Sequence, residues 1–533
     1  MGALEGVAIS PASAARVSGT GGARQTAPYA LAVSSVLSLV AASDGELVRA
    51  SDLVLPVTIM LAVAALAHIL GWLSSRDAIK SALIGWVIVT GFGSFGDVLA
   101  AFKAGATVGP SPRETAALIS CVAVVGVFVV AVARSRRQLG GVLGYAALVS
   151  GLVLGWDGWF AGRTLLASER PAGELLRSAI PAPDLVGRPP DILLLVLDKY
   201  TASHILGEQY GFDNGEFIRF LRARGFLVPP AARANYVHTY LALNAMLNME
   251  YLDSSVARVG TTSLSRAASY AAIERNRLAA FLREHGYRFV FSPTAYGATR
   301  RNRYADVQIP DPHAIRPEFV TAWYKSTPLP TMHRLACAAL GCVMPMPYVP
   351  ETAAMLDWKF EQLANLAGQE RPVFALVHLT VPHEPYIYGS DCRHREPYWP
   401  TRDDGRDSAR VSEAYIEQIQ CLNQKLETLI AAWQANGRVP PVILLQADHG
   451  HGRAGRHLPD LEEVSAAQIA DRTSVFAAYC IPGADPRALP DTVTPVNTMR
   501  FTLRTVFSAD LPPLEDRTYW SPYDVPHRLS QVR

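Results

Sequence analysis

No charge of one sign dominates this 533-residue chain: 49 Lys and Arg stand against 47 Asp and Glu, a formal balance of +2. A balance so near neutral leaves out the basic field that a nucleic-acid binder needs, so no nucleic-acid partner is expected. Cysteine is scarce, six residues in all, and no CxxC pair occurs among them, which removes a zinc knuckle from consideration. The amino terminus lacks the layout of a cleavable signal, because no charged start leads directly into an apolar core. The later two thirds of the chain hold neither an internal repeat nor a low-complexity run.

What is abundant is apolar sequence, and it is gathered at one end. The mean hydropathy is +0.14, high for a soluble enzyme. Residues 1–26 are rich in Ala, Gly and Ser and read as disordered. Apolar segments follow at about 28–43, 53–74, 79–101, 114–133 and 139–161. Four of them reach about 20 residues, the length that crosses a bilayer; the first is shorter, closed by Asp44 and Glu46. Arg76 and Lys80 lie in one turn and Arg134, Arg136 and Arg137 in another. The positive-inside rule puts both turns in the cytoplasm, so everything after residue 163 is exported. His68, Asp97 and Asp157 fall within or near the ends of these spans and read as packing or interfacial groups.

The expected layout is a disordered 1–26, a transmembrane helical domain 27–163, a proline-bearing linker 164–190 and an exported domain 191–533. Two cysteine pairings suit an oxidising compartment, Cys337 with Cys342 and Cys392 with Cys421. Cys480, inside an apolar run, reads as a core thiol.

In the exported part, residues 191–200 (DILLLVLDKY) and 442–457 (VILLQADHGHGRAGRH) begin as apolar runs with no polar face. Such runs fit strands covered on both sides, as in a parallel sheet flanked by helices. Helical spacing recurs between further strand-like runs at 287–291, 372–379 and 474–481, which predicts an α/β sandwich with a mostly parallel central sheet. Three strand ends carry polar groups: Asp198, then His378 with His383 in HLTVPHEPY, then Asp448 with His449. Open α/β sheets place ligands at that edge. Adjacent Asp and His suit a divalent cation that takes oxygen and nitrogen ligands; the bland alternative is a capped strand end. Thr239 opens a helical pattern in ANYVHTYLALNAMLNMEYLD (residues 234–253). Spacing alone allows two roles for it, a helix N-cap or a nucleophile. Lys199, and the groups Arg300, Arg301 and Arg303 and His451, Arg453 and Arg456, read as solvated cations unless they line a cleft. His238 reads as pointing away from its neighbour Thr239.

LVLDKY, NYVHTYLALNAMLN, HLTVPHEPY and LLQADHGHG stand in the order found in the alkaline phosphatase superfamily. The sequence resembles the sulfatase-like membrane branch of that superfamily, which includes lipoteichoic acid synthases and lipid A phosphoethanolamine transferases. The resemblance covers roughly residues 190–510, and the five-span layout ahead of it is also similar. It implies Asp198, Thr239, Asp448 and His449 as ligands of one divalent metal ion (zinc, manganese or magnesium). It implies Thr239 as the nucleophile, with His383 and His457 facing the transferred group. It further implies a membrane lipid or envelope-glycan substrate, met on the exported face of the inner membrane. The chain departs from ordinary sulfatases, which carry C/S-x-P-S-R and paired aspartates: here Thr239-Tyr240-Leu241-Ala242 and Asp198-Lys199 stand instead. Sulfate-ester hydrolysis by the formylglycine route is therefore not expected. A sulfatase or phosphodiesterase that only hydrolyses and a non-catalytic binding module that keeps the fold are the rival readings. Oligomeric state is left open.

Overall fold

The computed structural model describes residues 22, 24–42, 48–102, 111–169, 177–183, 187–310, 318–340, 351–399, 408–436, 439–452 and 458–532. Most of the expected disordered segment, residues 1–21 and 23, lies outside them.

Among the described residues, three helices are long and apolar enough to cross a membrane: Ala50–Ser75, Pro112–Arg134 and Gly140–Leu166. A fourth span is formed if the bent pair Ala78–Gly93 and Phe95–Ala101, which meet at 48°, is taken as one; Ala27–Ala41 is apolar but shorter. The last of these helices continues to Glu169, past the boundary expected at residue 163. Polar groups inside the bundle find partners, as their cost in an apolar medium requires. Ser34 donates to the Asp157 carboxylate at 2.6 Å, and the Tyr29 hydroxyl lies 3.4 Å from His68 Nδ1.

The rest of the chain is built on a sheet of six strands in the order β3-β2-β4-β1-β7-β8. The strands are β1 (Ile192–Leu197), β2 (Arg288–Ser292), β3 (Val307–Gln308), β4 (Val373–Leu379), β7 (Val442–Ala447) and β8 (Ala477–Cys480); β5 (Tyr386–Tyr388) and β6 (His394–Trp399) form a separate hairpin. All pairings in the main sheet are parallel except β7 with β8, so the expected α/β sandwich with a mostly parallel sheet is present. β1, β4 and β7 are buried along their whole length, which is why these runs are continuously apolar rather than alternating. Ahead of β2 the chain forms two helices, Ala267–Glu274 and Arg277–Glu284, where helical spacing over 273–285 reads as one; the Asn276 side chain caps the second by accepting from the Ala279 N–H at 2.8 Å.

Cys392 and Cys421 are joined by a disulfide, tying the loop ahead of β6 to the long helix Ser408–Asn436. Cys342, in the other expected pair, lies outside the described residues. Cys480 is only partly buried.

The membrane-type helices and the sheet domain are joined by apolar packing and buried ion pairs. Phe319, Val320 and Trp323 share an apolar cluster with Val36, Val40 and Met60. Arg300 grips Asp52 with both arms, at 2.5 and 2.7 Å, and Arg334 pairs with Glu114 at 2.8 Å. Arg303 is committed to Glu274 at 2.5 Å. Arg300 and Arg303 are thus structural and not the solvated cations that spacing alone had indicated.

Candidate active site

Register decides where the site lies. Leu197 of β1 stands opposite Leu379 of β4 and Ala447 of β7. The residues that follow β1 and β7, Asp198 and Asp448, are therefore neighbours at the carboxyl edge, one strand spacing apart. His449 follows at once. One ligand atom from each of Asp198, Asp448 and His449 lies within 4.8 Å of the others, and all three residues are buried.

Backbone contacts orient them. The Lys199 and His449 N–H groups donate to Asp448 Oδ1, at 3.2 and 2.8 Å. His449 Nδ1 meets the Gly450 carbonyl at 3.0 Å. A carbonyl only accepts, so Nδ1 carries the proton and Nε2 keeps its lone pair. That lone pair faces the carboxylates, 3.3 Å from Asp448 Oδ2 and 4.0 Å from Asp198 Oδ1. Both carboxylate oxygens are buried and without a hydrogen-bond partner. Two buried carboxylate oxygens and an imidazole lone pair that converge repel one another unless a proton or a cation sits between, and oxygen with imidazole nitrogen is a donor set for zinc or manganese. The residues fit a divalent metal.

Gly450 explains its place in the motif. A Cβ there would fall 2.0 Å from the Asp471 carbonyl oxygen, so only glycine lets the loop close on the following helix, Ala466–Thr473. That closure delivers Arg472, whose Nη2 comes within 3.3 Å of His449 Nε2 while its guanidinium also holds the Val237 carbonyl.

Thr239 begins the helix Thr239–Asn248. From Ala234 to Leu247 every residue is buried except Thr239, and its hydroxyl lies 3.0 Å from His449 Nε2. With the imidazole proton on Nδ1, the threonine donates to it. The cap position belongs to His238, which makes no side-chain cap bond. His238 Nε2 instead points to the Ser521 carbonyl at 3.2 Å, and burial together with the Arg472 charge pushes its pKa down to about 3. It is neutral and turned away from the hydroxyl.

Electrostatics separate the two aspartates. Burial works against the charge on Asp198, but His383, His378 and His449 outweigh it and hold this carboxyl well below the usual range. Asp448 is pushed up to about 7 by burial and by the neighbouring Asp198 charge. Burial and then the Arg472 guanidinium drive His449 well below its ordinary value, so it is neutral.

His383 stands partly exposed at this edge, Nδ1 2.5 Å from the Glu384 carbonyl. His457, Arg453 and Arg456 lie outside the described residues. His451 does not reach the cleft: it is buried, hydrogen-bonded to the Tyr210 and Tyr386 hydroxyls at 2.7 and 3.0 Å. Lys199 is no solvated cation either, since it is buried and ion-paired with Glu384 at 2.9 Å. Two groups at the site escaped the sequence reading. Arg472 sits in an unremarkable helix and no spacing marks it. His378 was noticed at the end of β4 without a role; its Nδ1 meets Thr299 Oγ1 at 2.8 Å and its Nε2 lies 3.6 Å from Asp198.

No protein-family model matches the chain, and no curated protein matches it. Solved structures do. The chain is similar to phosphoethanolamine transferases and to alkaline phosphatase superfamily proteins. The integral membrane lipooligosaccharide phosphoethanolamine transferase A of Neisseria meningitidis aligns at 15% identity and TM-score 0.41, over 84% of this chain and 79% of that one. The periplasmic domain of the Escherichia coli protein EptC, solved in complex with zinc, aligns at 11% identity and TM-score 0.39, over 66% and 96% of the two chains. An alkaline phosphatase superfamily protein of Vibrio parahaemolyticus aligns at 13% identity and TM-score 0.39, over 64% and 75%. At such identities the chemistry has to be argued from this chain's own residues.

Proposed function

We propose that the chain is a membrane-anchored, metal-dependent enzyme that transfers or hydrolyses a phospho-group through Thr239. The observation that carries this reading is the hydroxyl of the half-buried Thr239, 3.0 Å from His449, at the rim of a buried cluster of Asp198, Asp448 and His449. These three residues and Thr239 would hold one zinc, manganese or magnesium ion. When bound, such an ion lowers the pKa of a hydroxyl and neutralises charge on a phosphoryl oxygen.

The chain's own groups supply the rest. Thr239 Oγ, its proton given up to solvent, attacks phosphorus, forming an Oγ–P bond as the bond to the leaving oxygen breaks. The free N–H groups at the start of the helix Thr239–Asn248 favour the anion that faces them. His383, partly exposed near Asp198, gives a proton to the leaving oxygen, with His457 as the second candidate. Water or a hydroxyl acceptor then takes the group from Thr239. The work is chiefly positioning and charge neutralisation.

The spans and the basic turns support a site on the exported face of the inner membrane, where a lipid or envelope-glycan substrate is at hand. The name of one similar structure, a lipooligosaccharide phosphoethanolamine transferase, is in keeping with a lipid or envelope-glycan substrate. The test is turnover by the full chain in detergent with zinc, manganese or magnesium, on aryl phosphate, phosphodiester and sulfate esters. Metal-dependent phosphoester turnover that disappears in Thr239→Ala is expected. Sulfate turnover that survives this substitution would remove Thr239 from its role and favour a sulfatase.

A further inference from the structure

A run of aromatic rings leads from His378, beside Asp198, to Tyr240, the residue after Thr239. His378, next to Asp198, meets Tyr296 at 6.0 Å between ring centroids; Tyr296 meets Tyr270 at 6.2 Å, and Tyr270 meets Tyr240 at 6.2 Å. Tyr240 directly follows Thr239 and packs against His238 at 6.0 Å and His527 at 6.4 Å. Arg266 lies within this belt, its Cζ 5.4 Å from the centre of the Tyr240 ring, with the phenols of Tyr270, Tyr296 and Tyr523 around its charge.

Arg300, Arg303 and Arg334 each pair with a carboxylate, whereas among the described residues no carboxylate lies at ion-pair distance from the partly exposed Arg266. The Tyr270 hydroxyl accepts one of its N–H bonds; aromatic faces attract the guanidinium but do not take its remaining donors along the plane of the fork. A second polar group lies nearby. The Tyr240 hydroxyl is buried, with the residue 3% exposed, and has no hydrogen-bond partner. A permanent cation and an orphan phenol, side by side and one residue from the nucleophile, match an anionic oxygen.

We propose that Arg266 and Tyr240 form an anion subsite beside Thr239, taking a phosphate or carboxylate oxygen of the substrate. This rests on the reading of Thr239 as the reacting group. The oxygen belongs either to the reacting phosphate or to a second anionic group next to it.

The test is direct binding, by calorimetry on the zinc-loaded full chain in detergent, of inorganic phosphate and of methylenebisphosphonate. Arg266→Gln is expected to weaken binding about tenfold or more at unchanged zinc content. Weakening of both probes assigns the subsite to the reacting phosphate; weakening of the bisphosphonate alone assigns it to a neighbouring anion. Tyr240→Phe, which removes only the hydroxyl, is expected to weaken the same probe several-fold, and it decides the matter if Arg266→Gln does not fold. Affinities within twofold of wild type in the folded variants overturn the subsite, as does a wild type that binds neither probe. The two readings part cleanly. Turnover that needs Thr239 with affinities indifferent to Arg266 sinks the subsite alone. Arg266-dependent binding without any turnover keeps the subsite and sinks the reaction.

Discussion

Loading the metal-free protein with zinc should expel protons in a number that depends on pH, and the structure sets the count. Asp448 is the group poised near neutrality, at about 7. It carries a proton in the mildly acidic range and loses it as pH rises past neutrality, and a cation binding its oxygen expels whatever proton is there. Asp198, held well below the usual range, and His449, held well below its own ordinary value, have none to give. If the Thr239 hydroxyl is bound as the alkoxide it adds about one proton at every pH. The expected release therefore falls from roughly two protons at pH 6 to about one at pH 8. Thr239→Ala should lower the whole curve by about one proton, and Asp448→Asn should flatten it. Calorimetric titration in two buffers of different ionisation enthalpy reads the number directly. The linkage has a second face. The folded pKa of Asp448 is raised above its model value of 3.8, so its contribution to metal-free stability is full below pH ~4 and lost as pH rises through ~7. Zinc should consequently raise the melting temperature more at pH 8 than at pH 6. A release independent of pH between 6 and 8, or one with the same slope in Asp448→Asn, would refute the assignment of Asp448 as the raised partner.

Two further substitutions probe the frame. Arg300→Ala leaves Asp52 charged and buried and should cost about 3–5 kcal/mol; pairing it with Asp52→Ala should recover much of the loss in thermal unfolding in detergent, and additive losses would show that the pair does not couple. Gly450→Ala drives a Cβ against the Asp471 carbonyl, a backbone atom with no room to swing away. It should destabilise by about 1–3 kcal/mol or more and lower zinc content at pH 7.5, whereas wild-type zinc content would show that the loop does not need this close approach.

The parts of the fold that were legible in the sequence are those that one physical pressure controls. β1, β4 and β7 are covered on both faces, so burial alone made them continuous apolar runs, and the parallel sheet followed. The convergence of Asp198 with Asp448 was legible for the same reason: each is the first residue after a buried strand, and parallel strands in register bring such residues to one edge. Lys199, Arg300 and His451 were misread because a charge or an imidazole carries no mark of its partner in the sequence. Glu384 stands 185 positions from Lys199 and Asp52 stands 248 from Arg300, and only the folded chain joins them. Arg472 is the sharpest instance. It reaches His449 because Gly450 allows the Asp471 backbone to come close, so the glycine of the DHG motif has a second consequence besides flexibility. It admits a guanidinium that keeps His449 neutral, so that the imidazole retains at Nε2 a lone pair, here shared by Thr239 and Arg472, that a cation would take in their place.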